Sequence, residues 1–342
     1  MGDICKAMKF GIIHGDSNRI PSDEERRAYN QHPNTLVLYP KFYPDDLFAI
    51  LSPYNLDLDL CNKLDAVIYY SGFPDAKFVN VIDKIKCKLI VVLGTDYRCL
   101  IKTTMRDMIL TKRIMDSADF ILGHDILYPD VIKLFTTTPV IVMEVPLPIE
   151  YALECAAEDN DEIGYDIVIP YGPFETEHVE RNCYIAALAA QRLIDTCDDF
   201  NNMVIFNMNP GGDLKSACET LRYVGVKDFT LMPLVPYKRF VQILSKSKFG
   251  LNLDMNTGGG KFACDCALMR KPSVQSSFTP YARKIYYDIP RVLTYPLDIS
   301  AAVQGALSID LWNNSDYDKA FNRAQEFRIS KAAAILEEAV FQ

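Results

Sequence analysis

The sequence lacks any apolar run long enough to cross a bilayer, and it lacks an excess of positive charge. A membrane-spanning helix needs about 20 apolar residues in a row, and the apolar runs of this 342-residue chain are all short. The first residues show no signal-peptide cleavage pattern. With 36 Lys and Arg against 45 Asp and Glu, the net charge of −9 disfavours a long nucleic-acid footprint. We therefore expect a cytoplasmic protein with no membrane span.

Cysteine is present, but not in a pattern that holds a metal or a disulfide framework. The ten cysteines are scattered, mostly in apolar segments, as in proteins of a reducing compartment. The closest pair, Cys264 and Cys266, has the wrong spacing for a zinc site and no histidine nearby in sequence. We expect no metal site and no bound cofactor.

What the sequence does contain is a repeated alternation of short apolar runs with helix-length segments. Runs such as KLIVVLGTD in the first half and FGLNLDM in the second predict strands. Segments such as TTMRDMILTKRIMDS predict helices between them. The alternation predicts an α/β protein with two doubly wound, Rossmann-like domains that face a cleft.

The alternation is interrupted once, at the acidic run 158–162, which we interpret as a solvated linker. We therefore place an N-terminal, acceptor-side domain at residues 1–160 and a C-terminal, ligand-binding domain at 161–320. Residues 321–342 are interpreted as a closing C-terminal helix.

A glycine loop lies where a strand of the second half ends and a helix begins near Lys261. Gly258, Gly259 and Gly260 let a phosphate approach the N–H groups of that helix, and Lys261 adds a positive charge. A flexible turn with no ligand is the alternative. The glycine spacing matches neither the Walker loop nor the dinucleotide fingerprint, which disfavours NTP hydrolysis and NAD chemistry.

The segment TGGGKFACDCALMRKPSV resembles the donor-binding segment of GT-B glycosyltransferases, of the kind found in family four. That segment reads roughly Glu-Gly-x-Gly, then Glu-Ala-x-Ala-x-Gly-x-Pro-Val. Asp265 falls on the second glutamate, and Lys271 and Pro272 match the end of the pattern. The chain departs from the pattern at Thr257, in place of the first glutamate, and at Arg270, in place of a glycine.

This resemblance implies a nucleotide-sugar donor, either a UDP-sugar or a GDP-sugar. It implies that Asp265 holds the ribose hydroxyls and that the amides of the glycine loop hold the diphosphate. Arg181, near the start of the second domain, is expected at the same diphosphate, with Lys238 and Arg239 as further candidates. A surface charge that pairs along a helix is the alternative for Arg181.

In the first half, Thr95-Asp96-Tyr97-Arg98 follows the strand KLIVVLG. This stretch resembles the Thr-Asp-x-Arg of the T-even phage DNA β-glucosyltransferases, which implies that Asp96 is the catalytic base of an inverting transfer. A helix cap is the alternative. Other candidate contacts to acceptor or sugar are Arg98, His14, Gly15, Asp16, Gly172 and His178, for which a polar turn or helix start is the alternative.

We expect a metal-independent hexosyltransferase that moves a sugar from the nucleotide to an acceptor hydroxyl. The acidic charge balance favours a small molecule, a lipid-linked sugar, a glycan or a protein side chain as acceptor. The phage likeness keeps hydroxymethylpyrimidine DNA as an alternative acceptor. A nucleotide-sugar epimerase of the same architecture and a two-domain binding protein without chemistry are the competing functions.

Overall fold

The computed structural model describes most of the chain, with gaps at several loops. The described residues are 10–14, 48–51, 58–71, 76–93, 104–123, 128–142, 147, 149–158, 161–170, 182–206, 213–233, 235–255, 260–328, 331, 334–335 and 338. The chain divides into two compact units. The first unit comprises residues 1–146 and 328–342, and the second comprises 147–327.

In the first unit, the described strands form one parallel sheet in the order β2-β1-β3-β4-β5-β6. These strands are β1 (Phe10–His14), β2 (Phe48–Leu51), β3 (Ala66–Ser71), β4 (Lys88–Leu93), β5 (Phe120–Gly123) and β6 (Val140–Val142). The helices are α1 (Leu58–Cys61), α2 (Ala76–Val79), α3 (Met105–Ser117) and α4 (Tyr128–Lys133), with a 3₁₀ turn at Ile82–Lys84.

The described strands of the second unit also form one parallel sheet, in the order β12-β11-β10-β7-β8-β9. Its strands are β7 (Ile167–Ile169), β8 (Met203–Phe206), β9 (Phe229–Met232), β10 (Phe249–Asn252), β11 (Ser273–Ser276) and β12 (Leu293–Thr294). Its helices are α5 (Ile149–Ala157), α6 (Cys183–Thr196), α7 (Leu214–Tyr223), α8 (Tyr237–Lys246), α9 (Lys261–Leu268), α10 (Pro280–Tyr286), α11 (Ile299–Ala306) and α12 (Asn314–Ala324). Two 3₁₀ turns lie at Ile309–Leu311 and Gln325–Phe327.

Both faces of the second sheet are covered by helices, which explains why its strands β7 and β8 are apolar at every position. Ile167 and Ile169 contact the core layer under α6 and α11, whereas Val168 between them belongs to the layer under α8 and α9. A strand turns successive side chains to opposite faces, so helices on both sides demand an uninterrupted apolar run. The predicted doubly wound architecture is confirmed for each unit.

Two features differ from the sequence prediction. The short strands β2 and β12 were not predicted. The boundary between the units falls at 146/147 rather than 160/161, because α5 belongs to the second unit and packs against α8. The residues that follow α5 are also attached to α8: Glu158 pairs with Lys238, and Glu162 lies 2.7 Å from Arg239.

Candidate functional site

The glycine loop ends in a residue that must be glycine. Gly260 is the N-cap of α9 and has a φ of +85°, in the left-handed region that disfavours side chains. A Cβ added there would lie 2.5 Å from Cβ of Thr279, the N-cap of α10. Gly260 therefore permits both this backbone turn and the close approach of α10. Gly258 and Gly259 lie outside the described residues.

Because its cap is a glycine, α9 begins without a side chain that accepts hydrogen bonds from its first turn. The N–H of Ala263 donates to the carbonyl of Gly260 at 3.0 Å. Three other helices of this unit have capping side chains, namely Asp213 on α7, Asp298 on α11 and Asn313 on α12. The first-turn amides of α9 thus keep the partial positive charge that attracts an anion.

The two charged residues predicted on this helix are brought together in its first turns. Lys261 and Asp265 lie four residues apart on one helix face, with Nζ of Lys261 3.8 Å from Oδ1 of Asp265. Both are buried, with only 9% of Lys261 and 4% of Asp265 exposed. Nζ of Lys261 has no hydrogen-bond partner among the described residues. A buried cation without a hydrogen bond is costly, and it is the kind of group a bound anion satisfies.

A third residue, Tyr237, completes the cluster from the start of α8. Its hydroxyl donates to Oδ1 of Asp265 at 2.6 Å, and the ammonium of Lys261 lies 3.4 Å from the centre of its ring. The ring in turn contacts Phe240 and Tyr151, each with centroids 6.3 Å away. The cluster Lys261–Tyr237–Asp265 therefore combines an ion pair, a hydrogen bond and a cation–π contact.

Burial perturbs every titratable group of this cluster. It lowers the pKa of Lys261 to about 8, although Asp265 and Cys264 act in the opposite direction. It raises the pKa of Asp265, while Lys261 and the Tyr237 hydroxyl oppose that shift. The pKa of Tyr237 is raised well above its usual range, first by burial and then by the neighbouring Asp265. Perturbed groups gathered at a strand end are typical of functional sites.

Tyr237 was missed by the sequence analysis, although it directly precedes Lys238. An aromatic residue at the start of an amphipathic helix has the same pattern whether it packs in the core or faces a ligand. The hydrogen bond from its hydroxyl to Asp265 distinguishes a residue of the site from a core residue. That bond depends on how α8 packs beside α9.

Buried polar side chains continue from this cluster along the ends of the neighbouring strands. Asn252 ends β10 and pairs in register with Gln275 of β11. The carbonyl oxygen of the Asn252 side chain accepts from the N–H of Asp254 at 3.2 Å. All three residues are at most 2% exposed. Polar residues at the carboxyl ends of parallel strands mark the edge at which α/β proteins bind ligands.

The C-terminus of α9 shows which backbone conformation Arg270 adopts where the glycosyltransferase pattern has glycine. Arg270, which stands where the pattern has glycine, has a φ of +51°. The N–H of Arg270 donates to the carbonyl of Ala267 at 3.1 Å, and that of Lys271 donates to Cys266 at 2.8 Å. These two bonds form a Schellman C-cap, whose left-handed residue is usually glycine. Arg270 therefore occupies a left-handed position at which glycine is favoured.

Asn182 directly follows the predicted loop that contains Gly172, His178 and Arg181, and its side chain anchors the start of α6. It is the N-cap of α6 and has a φ of +52°. Its side-chain amide donates to the carbonyls of Leu253 at 3.0 Å and Pro296 at 2.7 Å. The start of α6 is thereby joined to the end of β10, immediately before the glycine loop.

Lys238 and Arg239 are not assembled with the cluster. Lys238 pairs with Glu158, and Nε of Arg239 lies 2.7 Å from Oε1 of Glu162. Both charges are paired with acidic residues that follow α5, which disfavours a phosphate contact for them.

The remaining predicted site residues lie where the structure gives no side-chain description. His14 is the last residue of strand β1, and only its backbone is described. Outside the described residues lie Asp96, Arg98, Gly15, Asp16, Gly172, His178 and Arg181. Their roles stay predictions.

Among the described residues, no cluster of three or more His, Cys, Asp or Glu side chains is placed to hold a metal ion. No helix in the described part of the chain is both long enough and apolar enough to cross a membrane.

No protein-family model and no curated protein sequence matches this chain. Solved structures do match its fold, and they include UDP-forming trehalose-phosphate synthases, which have the GT-B fold. A UDP-forming α,α-trehalose-phosphate synthase from Burkholderia xenovorans has a TM-score of 0.69 at 11% identity, over 98% of this chain and 99% of that one. The fold of the whole chain is therefore the GT-B fold, as the sequence predicted.

Two related structures carry ligands. An Escherichia coli trehalose-6-phosphate protein bound with UDP-2-fluoro glucose has a TM-score of 0.62 at 11% identity, over 97% of this chain and 92% of that one. A Burkholderia xenovorans trehalose-phosphate synthase in complex with glucose-6-phosphate has a TM-score of 0.64 at 9% identity, over 83% of this chain and 74% of that one.

Proposed function

We propose that this protein is a glycosyltransferase that moves a sugar from a UDP-sugar to an acceptor hydroxyl. The observation that carries the proposal is the helix α9. It begins at an obligatory glycine and has no capping side chain. It bears buried Lys261 and, at the acidic position of the GT-B donor segment, buried Asp265. The match of the whole fold to UDP-forming synthases supports the same function and favours uridine among the nucleotides.

The diphosphate of the donor is proposed to bind at the first turn of α9. Negative charge develops on the diphosphate as the glycosidic bond breaks, and fixed N–H groups stabilise that charge without reorganising. Lys261, the first residue of the helix, adds a full positive charge beside those amides. Asp265 is proposed to accept hydrogen bonds from the ribose hydroxyls, one turn further along the helix.

A sugar phosphate is the acceptor class that we propose to test first, because one structural neighbour was solved with glucose-6-phosphate. Asp96 is the proposed base if the transfer inverts the anomeric centre, and Arg181 is a proposed further contact to the diphosphate. The transfer is proposed to need no metal ion held by the protein.

Binding of the donor is tested by thermal shift with UDP-, GDP-, ADP- and TDP-glucose. We expect stabilisation by UDP-glucose, and we expect Asp265→Asn to lose most of it. Asp318→Asn is the matched control, since Asp318 is an exposed acid on α12 paired with Arg270. Stabilisation by none of the four nucleotides would contradict the proposal.

Transfer is tested by measuring UDP release from UDP-glucose with and without glucose-6-phosphate. Release that depends on the sugar phosphate, with a disaccharide phosphate as product, is the expected result. A changed sugar epimer without any acceptor indicates an epimerase, and transfer to hydroxymethylated DNA alone indicates the phage-type activity. Tight binding of UDP-glucose with no turnover under any condition indicates a binding protein.

A further inference from the structure

We propose that Tyr237 is a positioning residue of the nucleotide site, which holds Asp265 so that its second carboxylate oxygen faces the ribose of the bound nucleotide. This assignment rests on the proposed function, because it takes the donor to lie at α9. It adds a residue that the donor-segment pattern does not contain, from a different helix.

Oδ1 of Asp265 contacts protein groups, which leaves Oδ2 for a ligand. The Tyr237 hydroxyl and the Lys261 ammonium both approach Oδ1, at 2.6 Å and 3.8 Å. Among the described residues the structure records no hydrogen-bond donor to Oδ2. A carboxylate accepts through both oxygens, so an interior carboxylate held on one side only has acceptor capacity left for a ligand.

The hydroxyl of Tyr237 has a fixed position because the ring is held on several sides. The ammonium of Lys261 lies over the ring at 3.4 Å, and Phe240 and Tyr151 pack against it. Only 6% of Tyr237 is exposed. A tyrosine has two side-chain torsions, so a ring packed this way leaves its hydroxyl little freedom.

Packing alone does not require a tyrosine and an aspartate here. A buried polar pair is often matched or exceeded in stability by apolar residues of similar size. The hydrogen bond from Tyr237 also opposes the rise that burial causes in the pKa of Asp265, and so favours the ionised form that accepts from hydroxyl groups. The buried polar pair and the hydrogen bond that opposes the rise in the pKa of Asp265 are both expected for a carboxylate that binds a ligand.

The test compares two ligands that differ only at the ribose, UDP and 2′,3′-dideoxy-UDP, by isothermal titration. Tyr237→Phe removes the hydroxyl and keeps the ring under Lys261. We expect this variant to bind UDP about 3- to 10-fold more weakly than the wild type, the loss typical of one hydrogen bond. We expect its affinity for the dideoxy ligand to match that of the wild type within about twofold.

Tyr286→Phe is the matched control for a structural effect on the same helix. The hydroxyl of Tyr286 is also buried, and it donates to the carbonyl of Ala263 in α9 at 2.8 Å. We expect Tyr286→Phe to change both affinities by the same factor. A second check is the double variant Tyr237→Phe with Asp265→Asn, which we expect to bind UDP no more weakly than Asp265→Asn alone.

The possible outcomes separate the two proposals. If the wild type binds neither ligand, the proposed function itself fails. If the wild type binds UDP but Tyr237→Phe loses the same factor for both ligands, or the double variant shows additive losses, Tyr237 has a structural role only. If urea titration shows that Tyr237→Phe does not fold, the same ligand pair is measured on Tyr237→His. Its shorter side chain does not place a donor where the tyrosine hydroxyl lies, so we again expect a larger loss for UDP than for the dideoxy ligand. Equal losses for both ligands in that variant overturn the assignment.

Discussion

Helices α3 and α9 occupy corresponding places in the two units, yet they begin in opposite ways. Each follows a strand in the interior of its sheet, β4 for α3 and β10 for α9. Helix α3 satisfies its own first turn, because Oγ1 of Thr104 accepts from the N–H of Asp107 at 3.2 Å and Asp107 accepts in return from Thr104 at 3.4 Å. Helix α9 has Gly260 in the place of that threonine and no capping side chain.

The two helices also differ in burial: α3 is partly exposed, whereas α9 is buried. Helix α3 exposes Met105 and Ile109 and carries a surface ion pair between Lys112 and Asp116. Helix α9 is buried over all eight residues, and its ion pair is buried with it. Self-capping and exposed charges stabilise a helix as part of the fold. An uncapped, buried start with a charged pair costs stability, and it is best explained by a ligand that supplies the missing partner.

The largest effect is expected from Gly260→Ala. The added Cβ meets Thr279 and the residue keeps a positive φ, so we expect the free energy of unfolding to fall by about 2–4 kcal/mol. Gly225→Ala is the control, since Gly225 has a φ of +100° but no atom within 4 Å of the added Cβ. It is expected to cost only about 1–2 kcal/mol. Equal costs in urea titrations would show that the contact between α9 and α10 is not tight.

The buried ammonium is tested by the pH dependence of Lys261→Met. The pKa of Lys261 is about 8 in the folded chain and 10.5 in its usual range, so the native state binds fewer protons than the unfolded state between these values. The penalty for the charged lysine is fully present below pH 8 and disappears as the pH rises toward 10.5. The stability of the wild type relative to Lys261→Met should therefore rise by about 3 kcal/mol over that interval.

The comparison with the variant reduces the contribution of the buried thiols, which ionise in the same pH range in the unfolded chain. Burial raises the pKa of groups such as Cys264 and Cys266, so they contribute an opposite trend to both proteins. A flat difference between wild type and Lys261→Met from pH 7 to 10.5 would mean that the ammonium is solvated in the folded protein.

A smaller effect is expected from the capped helix. Thr104→Ala removes the side-chain acceptor of the α3 capping box, and we expect it to lower the free energy of unfolding by about 1 kcal/mol. We expect no change in the affinity for UDP, which isothermal titration measures. A loss of nucleotide binding would remove the distinction drawn between the two helices.

The smallest effect concerns the C-cap of α9, where Arg270→Gly and Arg270→Ala form a matched pair. Both lose the exposed ion pair with Asp318 and the contact with Phe321, but only glycine relieves the positive φ. We expect the glycine variant to be about 1 kcal/mol more stable than the alanine variant in thermal unfolding. Equal stabilities would show that the strain at residue 270 is negligible.

Most of the fold could be predicted from the sequence because the residue pattern of a doubly wound sheet is local. Uninterrupted apolar strands such as β4 and β10, and the amphipathic helix α3, were predicted from their own residues. The two-residue strand β12 is too short to show a period, and β2 lies in a stretch with no clear alternation. The unit boundary was misplaced because the acidic run after α5 reads as a linker, whereas it pairs with charges on α8.

For the candidate site, the sequence located α9, Lys261 and Asp265 but not the contacts among them. Glycines before a helix are visible in the sequence, and so is the spacing that places Lys261 and Asp265 on one face. The role of Tyr237 depends on two helices packing side by side, and the left-handed backbone of Arg270 is hidden by a residue type that seldom adopts it. Neither feature leaves a local signal.

A crystal structure of the protein with UDP tests most directly whether the first turn of α9 binds the diphosphate. We expect oxygens of the diphosphate to lie within hydrogen-bond distance, about 3 Å, of the backbone nitrogens in that turn. We also expect the ribose hydroxyls to contact Asp265. A diphosphate bound elsewhere, with the first turn of α9 left to water, would show that α9 is not the donor site.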